Sequence, residues 1–226
     1  MSQDNKLGKI FSHTFDIHSC NIGVVESMYM RNNKNIIKNG VFVECGASDG
    51  ILQSNTCSLE RKYNWGGFLI EGNDLLFNAL QRNRPNTVNI HGIISDIDEK
   101  SVLFENRYFR ADVSNSEYLG NSKILPTENT SIFSDERKAF SMTTILKNNN
   151  CPTGINFMII DVENSFYDAL LGIDFDYFRI EFIGVEMDYV NNKQQFDKAL
   201  RLLFSKNYHI VDYSHSGPDF LFKYML

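Results

Sequence analysis

The stretch from Gly40 to Gly50, GVFVECGASDG, constrains this chain more than any other part of it. Val41, Phe42 and Val43 have the β-branched and aromatic character of a buried strand. The apolar run stops at Glu44, and Gly46 and Gly50 then let the backbone approach a ligand where a Cβ would collide. A strand opening into such a loop, at the carboxyl edge of a parallel sheet, is where doubly wound folds bind nucleotide-like ligands.

The remaining segments fit that architecture. Apolar strands are expected at 41–44, 67–71, 88–94, 155–161 and 179–186, with helical patterns at about 24–37, 55–63, 74–82, 143–147, 167–171 and 194–204. Two closing strands, 209–213 and 219–224, are joined by a short Ser-His-Ser-Gly-Pro connection that suits an antiparallel pair. This alternation implies a mostly parallel α/β sheet covered on both faces. Residues 97–135 are less regular and read as turns, a short hairpin around 102–109 and a polar segment over 114–135.

Composition narrows the classes. A chain of 226 residues suffices for one domain with a sizeable core, alone or with a short arm. No apolar run approaches the ~18 residues of a membrane span, and MSQDNKLGKIF lacks the apolar core of a secretory signal, so a cytoplasmic location is expected. A net charge of −6 argues against a protein built to grip nucleic-acid backbones. Cys20, Cys45, Cys57 and Cys151 show neither a CxxC pair nor zinc spacing and read as reduced thiols.

A dinucleotide would want G-x-G-x-x-G at the first turn. Gly46-Ala47-Ser48-Asp49-Gly50 lacks the middle glycine, and Asp49 would bring negative charge towards a pyrophosphate. S-adenosylmethionine carries no phosphate and has a cationic sulfonium, which suits an acidic loop better; an NAD-dependent oxidoreductase is the weaker alternative. Glu71, ending the second strand, is placed to accept ribose hydroxyls from either cofactor, and Ser95 and Asp96 follow the third strand within reach of an adenine edge.

Four blocks resemble the FkbM-type S-adenosylmethionine-dependent methyltransferases: VFVECGASDGILQSNTCSLE at 41–60, NWGGFLIEGN at 64–73, INFMIIDVEN at 155–164, and the stretch from Ala169 through LLGIDF to FIGVEMD at 182–188. The closing GPDFLFK is also similar. The resemblance implies a Rossmann-like class I methyltransferase fold, a seven-stranded, mostly parallel sheet with its last strand antiparallel and helices on both faces. It implies a methyltransferase domain over 39–226, leaving 1–38 as an arm and helix for which a lid is one role. Glu44, Gly46 and Asp49 would line the methionine end of the cofactor, with Ala47 and Asn55 beside them, and Glu71 would hold the ribose. Two departures from the family pattern stand out: Asn164 replaces the glycine after Asp-Val-Glu, and Gly72 replaces a proline. The first leaves a weakly active or inactive cofactor-binding relic as an alternative.

The chemistry expected at the sheet edge rests on carboxylates. Asp161 and Glu163 end the fourth strand, while Glu186 and Asp188 end the fifth. A sugar hydroxyl is a poor nucleophile until its proton is drawn away, and a carboxylate raised by like-charged neighbours can serve as general base. Alternatively, Asp161 and Glu186 would hold a divalent cation (Mg²⁺ or Mn²⁺) that lowers the hydroxyl's pKa. The expectation is Glu163 as base, Asp161 at cofactor, substrate or metal, and His215 in the last turn as substrate ligand or second base. By analogy with small sugar O-methyltransferases, the acceptor is a hydroxyl of a sugar or glycan. The oligomeric state has no readable signal.

Overall fold

In a computed structural model, residues 23–52, 54–106, 122–126, 134–215 and 217–225 are described. Five strands run parallel: β1 (Val41–Cys45), β2 (Gly66–Glu71), β3 (Val88–His91), β8 (Gly154–Ile160) and β9 (Arg179–Glu186). The chain ends in β10 (Tyr208–Tyr213) and β11 (Asp219–Tyr224), and β11 lies antiparallel between β9 and β10. The sheet order is β10-β11-β9-β8-β1-β2-β3, which puts the chain reversal point between β1 and β8.

Strand periodicity divides the core. Val43, Ile70, Met158, Ile160, Ile183 and Val185 face α4 (Met142–Asn148), α5 (Phe166–Leu171) and α6 (Lys193–Ser205), which contribute Ile145, Leu170 and Leu203. The alternate positions Phe42, Leu69, Phe157, Ile159 and Phe182 face α1 (Val24–Asn32), α2 (Cys57–Tyr63) and α3 (Asp74–Asn83). Two buried faces explain the near-continuous apolar strands. Helix α1 ends earlier than its sequence pattern suggested, yet it packs Val25, Met28 and Tyr29 into this layer, with Tyr29 stacked 4.5 Å from Phe157. Asp212 of β10 accepts from Arg31 and Asn32 at its far end. Residues 1–22 of the expected arm lie outside the described residues.

The irregular region folds differently from its sequence pattern. β3 stops at His91, and Ile94–Ser95 (β4) leaves for a second sheet of order β4-β7-β5-β6, built with Lys100–Glu105 (β5), Lys123–Leu125 (β6) and Ser134–Ser141 (β7). β5 pairs antiparallel with β6 and β7, so the strand expected near 102 finds distant partners; residues 107–121, where a hairpin would turn, lie outside the described residues. Ile93, Val102, Phe104 and Ala139 make this sheet's own small core.

One cysteine expectation is corrected. Cys57 is disulfide-bonded, whereas Cys45 and Cys151 are free and buried. A cysteine outside any CxxC or zinc spacing carries no local signal of pairing, so motif spacing alone could not register it. Among the described residues, no helix is long and apolar enough to cross a membrane.

Candidate active site

The carboxyl ends of β1, β2, β8 and β9 open into a cavity of about 550 Å³, within the range of small-ligand sites. Its floor is the turn after β1. Gly46 sits at φ +78°, and a Cβ there would stand 1.8 Å from the carbonyl oxygen of Asp161. Only glycine lets the turn lie flat against the end of β8. Gly46 and Ala47 donate to Ile70 O at 2.9 and 3.1 Å, tying the turn to β2.

Glu44 is buried and organises the loop that leads from this turn into α2. It accepts from Asn55 N at 2.7 Å, from Ser54 Oγ at 3.0 Å and from Thr56 Oγ1. Beneath this loop lies Arg84, only 1% exposed, paired with Glu60 and donating to Gly50 O, Ser54 Oγ and Thr56 Oγ1. Burial raises the Glu44 pKa, and Arg84 with the loop donors opposes that rise. Arg84 escaped sequence reading because a basic residue at a helix end ordinarily reads as solvated. Asn55 faces the other way, its Oδ1 accepting from Val25 N and Glu26 N at the start of α1. It nevertheless lines the cavity, as do Glu44, Gly46 and Ala47.

Glu71 ends β2 with its carboxylate in the cavity wall, accepting from Ser48 N at 2.8 Å and Asn73 N at 2.7 Å on different oxygens. Burial pushes its pKa up. Each oxygen retains a lone pair for a further donor. Beyond it the wall is apolar, from Leu76, Ile93, Ile94 and Phe104.

Three expected cofactor residues take other positions. Asp49 caps its own turn, accepting from Ile51 N and Leu52 N. Ser95 donates to Ile97 O, and Asp96 pairs with Lys100 at 2.6 Å. None of the three is among the residues lining the cavity, because each carboxyl or hydroxyl is engaged by local backbone or a neighbouring cation.

At the other end, carboxylates converge. Asp161, Glu163 and Glu186 line the cavity, and so does Asp219, which in sequence reads only as a strand start. The antiparallel register sets Asp219 opposite Glu186. Asp161 is pushed well above the usual carboxylate range by burial, by the neighbouring Glu186, and by Glu163 and Asp219. Burial and Glu186 lift Asp219 to about 6. Glu163 begins a single 3₁₀ turn with φ +53°, a left-handed conformation that costs a non-glycine residue ~1–2 kcal/mol and is concentrated at functional sites. Among the described residues, no group of three His, Cys, Asp or Glu side chains is arranged to hold a metal ion.

His215 stands apart from this cavity. It lines a second one, of about 510 Å³, with its ring 4.8 Å from that of Tyr213. Asp188 belongs there too, accepting from Val190 N, Asn191 N and Asn191 Nδ2 as a loop cap.

A sheet in this strand order, with an acidic glycine turn and a ribose-type carboxylate at adjacent strand ends, defines the Rossmann-like fold of class I methyltransferases. The chain belongs to the Methyltransferase FkbM domain family, which matches over residues 44–210. Among solved structures, it is similar to the FkbM methyltransferase of Methylobacillus flagellatus, with 15% identity, a TM-score of 0.55, and 88% of this chain aligned to 47% of that one. The chain thus spans about half the length of that protein. A looser likeness links it to a TehB-like S-adenosylmethionine-dependent methyltransferase of Corynebacterium glutamicum, with 8% identity, a TM-score of 0.46, and coverage of 98% of this chain and 100% of that one. No curated protein matches the sequence.

Proposed function

We propose that the protein is an S-adenosylmethionine-dependent O-methyltransferase acting on a hydroxyl of a sugar or glycoconjugate. The observation that carries the catalytic part is the convergence of Asp161, Glu163, Glu186 and Asp219 at one end of a cavity whose other end holds Glu71. The cavity fits the cofactor's chemistry: acceptors at Glu71 for ribose hydroxyls, an apolar slot of Ile93 and Phe104 for a flat base, and carboxyl groups for an amino group. Lys123 is the one cation in the described lining, too little positive charge for a pyrophosphate among so many carboxylates. Bound there, S-adenosylmethionine supplies an electrophilic methyl group.

The chain's own residues then have distinct tasks. Gly46 and Ala47 form the floor at the methionine end, Glu71 orients the ribose, and Asp161 closes the wall beside them. Glu44 and Asn55 act as supports, since their oxygens already serve Thr56, Ser54 and the start of α1. Asp49 likewise shapes the turn, and Ser95 and Asp96 hold the outer strand connection. Glu163 draws the proton from the acceptor hydroxyl as methyl transfer proceeds, within a cluster where charge repulsion favours taking up a proton. His215 lies on the acceptor side. A cation at Asp161 and Glu186 is the competing device.

Tritium transfer from labelled S-adenosylmethionine to a glycan panel tests the reading. Glu163→Gln should lower the rate ~10²–10⁴-fold while leaving calorimetric binding of S-adenosylhomocysteine unchanged. An unchanged rate would remove Glu163 from the base role. Loss of activity in EDTA, restored by Mg²⁺, would favour the cation instead. Heat with NAD but none with S-adenosylhomocysteine would overturn the cofactor assignment.

A further inference from the structure

The second cavity meets the first at Glu163, Glu186 and Pro218, which line both. Any molecule entering it reaches the carboxylate cluster from the side opposite Glu71. Among the described residues its wall carries one phenol ring, Tyr189, 49% exposed and backed by Phe196 at 6.0 Å and Phe220 at 6.3 Å between ring centroids. The Asp188 cap stiffens the loop that presents this ring, because three donors from Val190 and Asn191 converge on one carboxylate. Asn164, Asn191 and His215 complete the polar lining.

We propose that this second cavity is the acceptor site and that it selects an uncharged, hydroxyl-bearing ring, with Tyr189 as the platform for that ring's apolar face. The proposal rests on the methyltransferase reading above.

Charge carries the selection. The described lining holds Glu163, Glu186 and Asp188 but neither lysine nor arginine. A phosphate or carboxylate on the acceptor would meet like-charge repulsion even in bulk water, and more against a partly buried wall. A purely apolar ligand would displace water from this polar lining without replacing its hydrogen bonds. A saccharide ring meets both conditions, offering a C–H face to the phenol ring and hydroxyls to the amides. A neutral glycoside or terminal glycan residue therefore fits where a sugar phosphate or nucleotide diphosphate sugar does not. The same reasoning accounts for Asn164: a side chain that donates and accepts stands at the rim where the family pattern has a bare glycine.

The test uses the full chain and ligand-observed saturation-transfer NMR, with and without S-adenosylhomocysteine. The probes are the methyl glycosides of glucose, galactose, mannose and fucose, with glucose 1-phosphate as the anionic arm. At least one glycoside should give a transfer signal and glucose 1-phosphate none. Tyr189→Ala should weaken the glycoside about tenfold or more, Tyr189→Phe should retain it, and thermal melting checks that both variants fold. No signal from any glycoside, an unchanged signal in Tyr189→Ala, or tighter binding of the phosphate would each overturn the proposal. Calorimetry with S-adenosylhomocysteine is read separately: its failure counts against the cofactor reading, while the glycoside arm judges this pocket.

Discussion

Asp161 and Glu186 lie close to each other at the ends of the neighbouring strands β8 and β9. Burial, and then the Glu186 carboxylate, push the Asp161 carboxyl well above the usual carboxylate range. This upward push acts beside the place where methyl transfer is proposed, and Glu163 and Asp219 add to it. Function and stability pull in opposite directions in such a cluster.

Asp219→Asn should stabilise the fold at alkaline pH. Its carboxyl sits at about 6 in the folded protein against 3.8 ordinarily. The native state thus binds the proton more tightly, so this contribution to stability is full below about 3.8 and is lost as pH rises through about 6. After allowance for solvent screening, the variant should gain about 1–2 kcal/mol at pH 8 and about half as much at pH 5. Urea unfolding at the two pH values checks it, and an equal gain at both would refute the electrostatic cause.

Glu26 carries a similar cost away from the site. Its Oε1 accepts from Ser58 Oγ and Leu59 N, while Oε2 is buried without a partner, and burial raises the pKa to about 7. Stability from this group is full below about 4.5 and lost as pH rises through about 7. Glu26→Gln, which keeps the acceptor and removes the charge, should gain about 1–2 kcal/mol at pH 8.5 and little at pH 5. Thermal melts across that range would show whether the two curves converge on acidification.

Arg84→Met should cost about 3–5 kcal/mol, because a buried charge pair broken on one side leaves the other uncompensated. Glu44 loses the cation that opposes its burial, so the deficit should be larger at pH 8 than at pH 5. A uniform deficit would mean that lost packing against Phe42 dominates.

Gly46→Ala should abolish binding of S-adenosylhomocysteine and destabilise the protein. The added methyl meets the Asp161 carbonyl and the backbone is left at φ +78°, for which alanine pays ~1–2 kcal/mol before any clash. Calorimetry alongside urea unfolding separates the two effects; wild-type affinity in the variant would show that the turn can move away from β8.

Strand β9 was legible in the chain at both ends, Arg179 and Glu186, because a run apolar on both faces has few other places to go. The closing pair β10 and β11 was legible from its turn residues. Strand β7 was not: SDERKAFS is mostly polar, and it becomes a strand by pairing with Lys100–Glu105, some thirty residues away. The same limit applied to single side chains. Asp96 looked like a strand-end carboxylate until Lys100 took it four residues later, one turn of chain that ordinary spacing rules leave open.

Sequence alone determined the layered α/β sheet, the glycine turn after β1 and the family resemblance, because apolar periodicity and backbone-permissive residues act locally and leave a local record. Tertiary structure decided which carboxylates meet. Asp219 stands opposite Glu186 only through antiparallel register, and Asp161 reaches Glu186 only because β8 and β9 are neighbours. Electrostatic coupling falls with distance through space, whatever the separation along the chain. The GVFVECGASDG turn announced a ligand site; the strand order supplied the acidic end that gives the site its proposed chemistry.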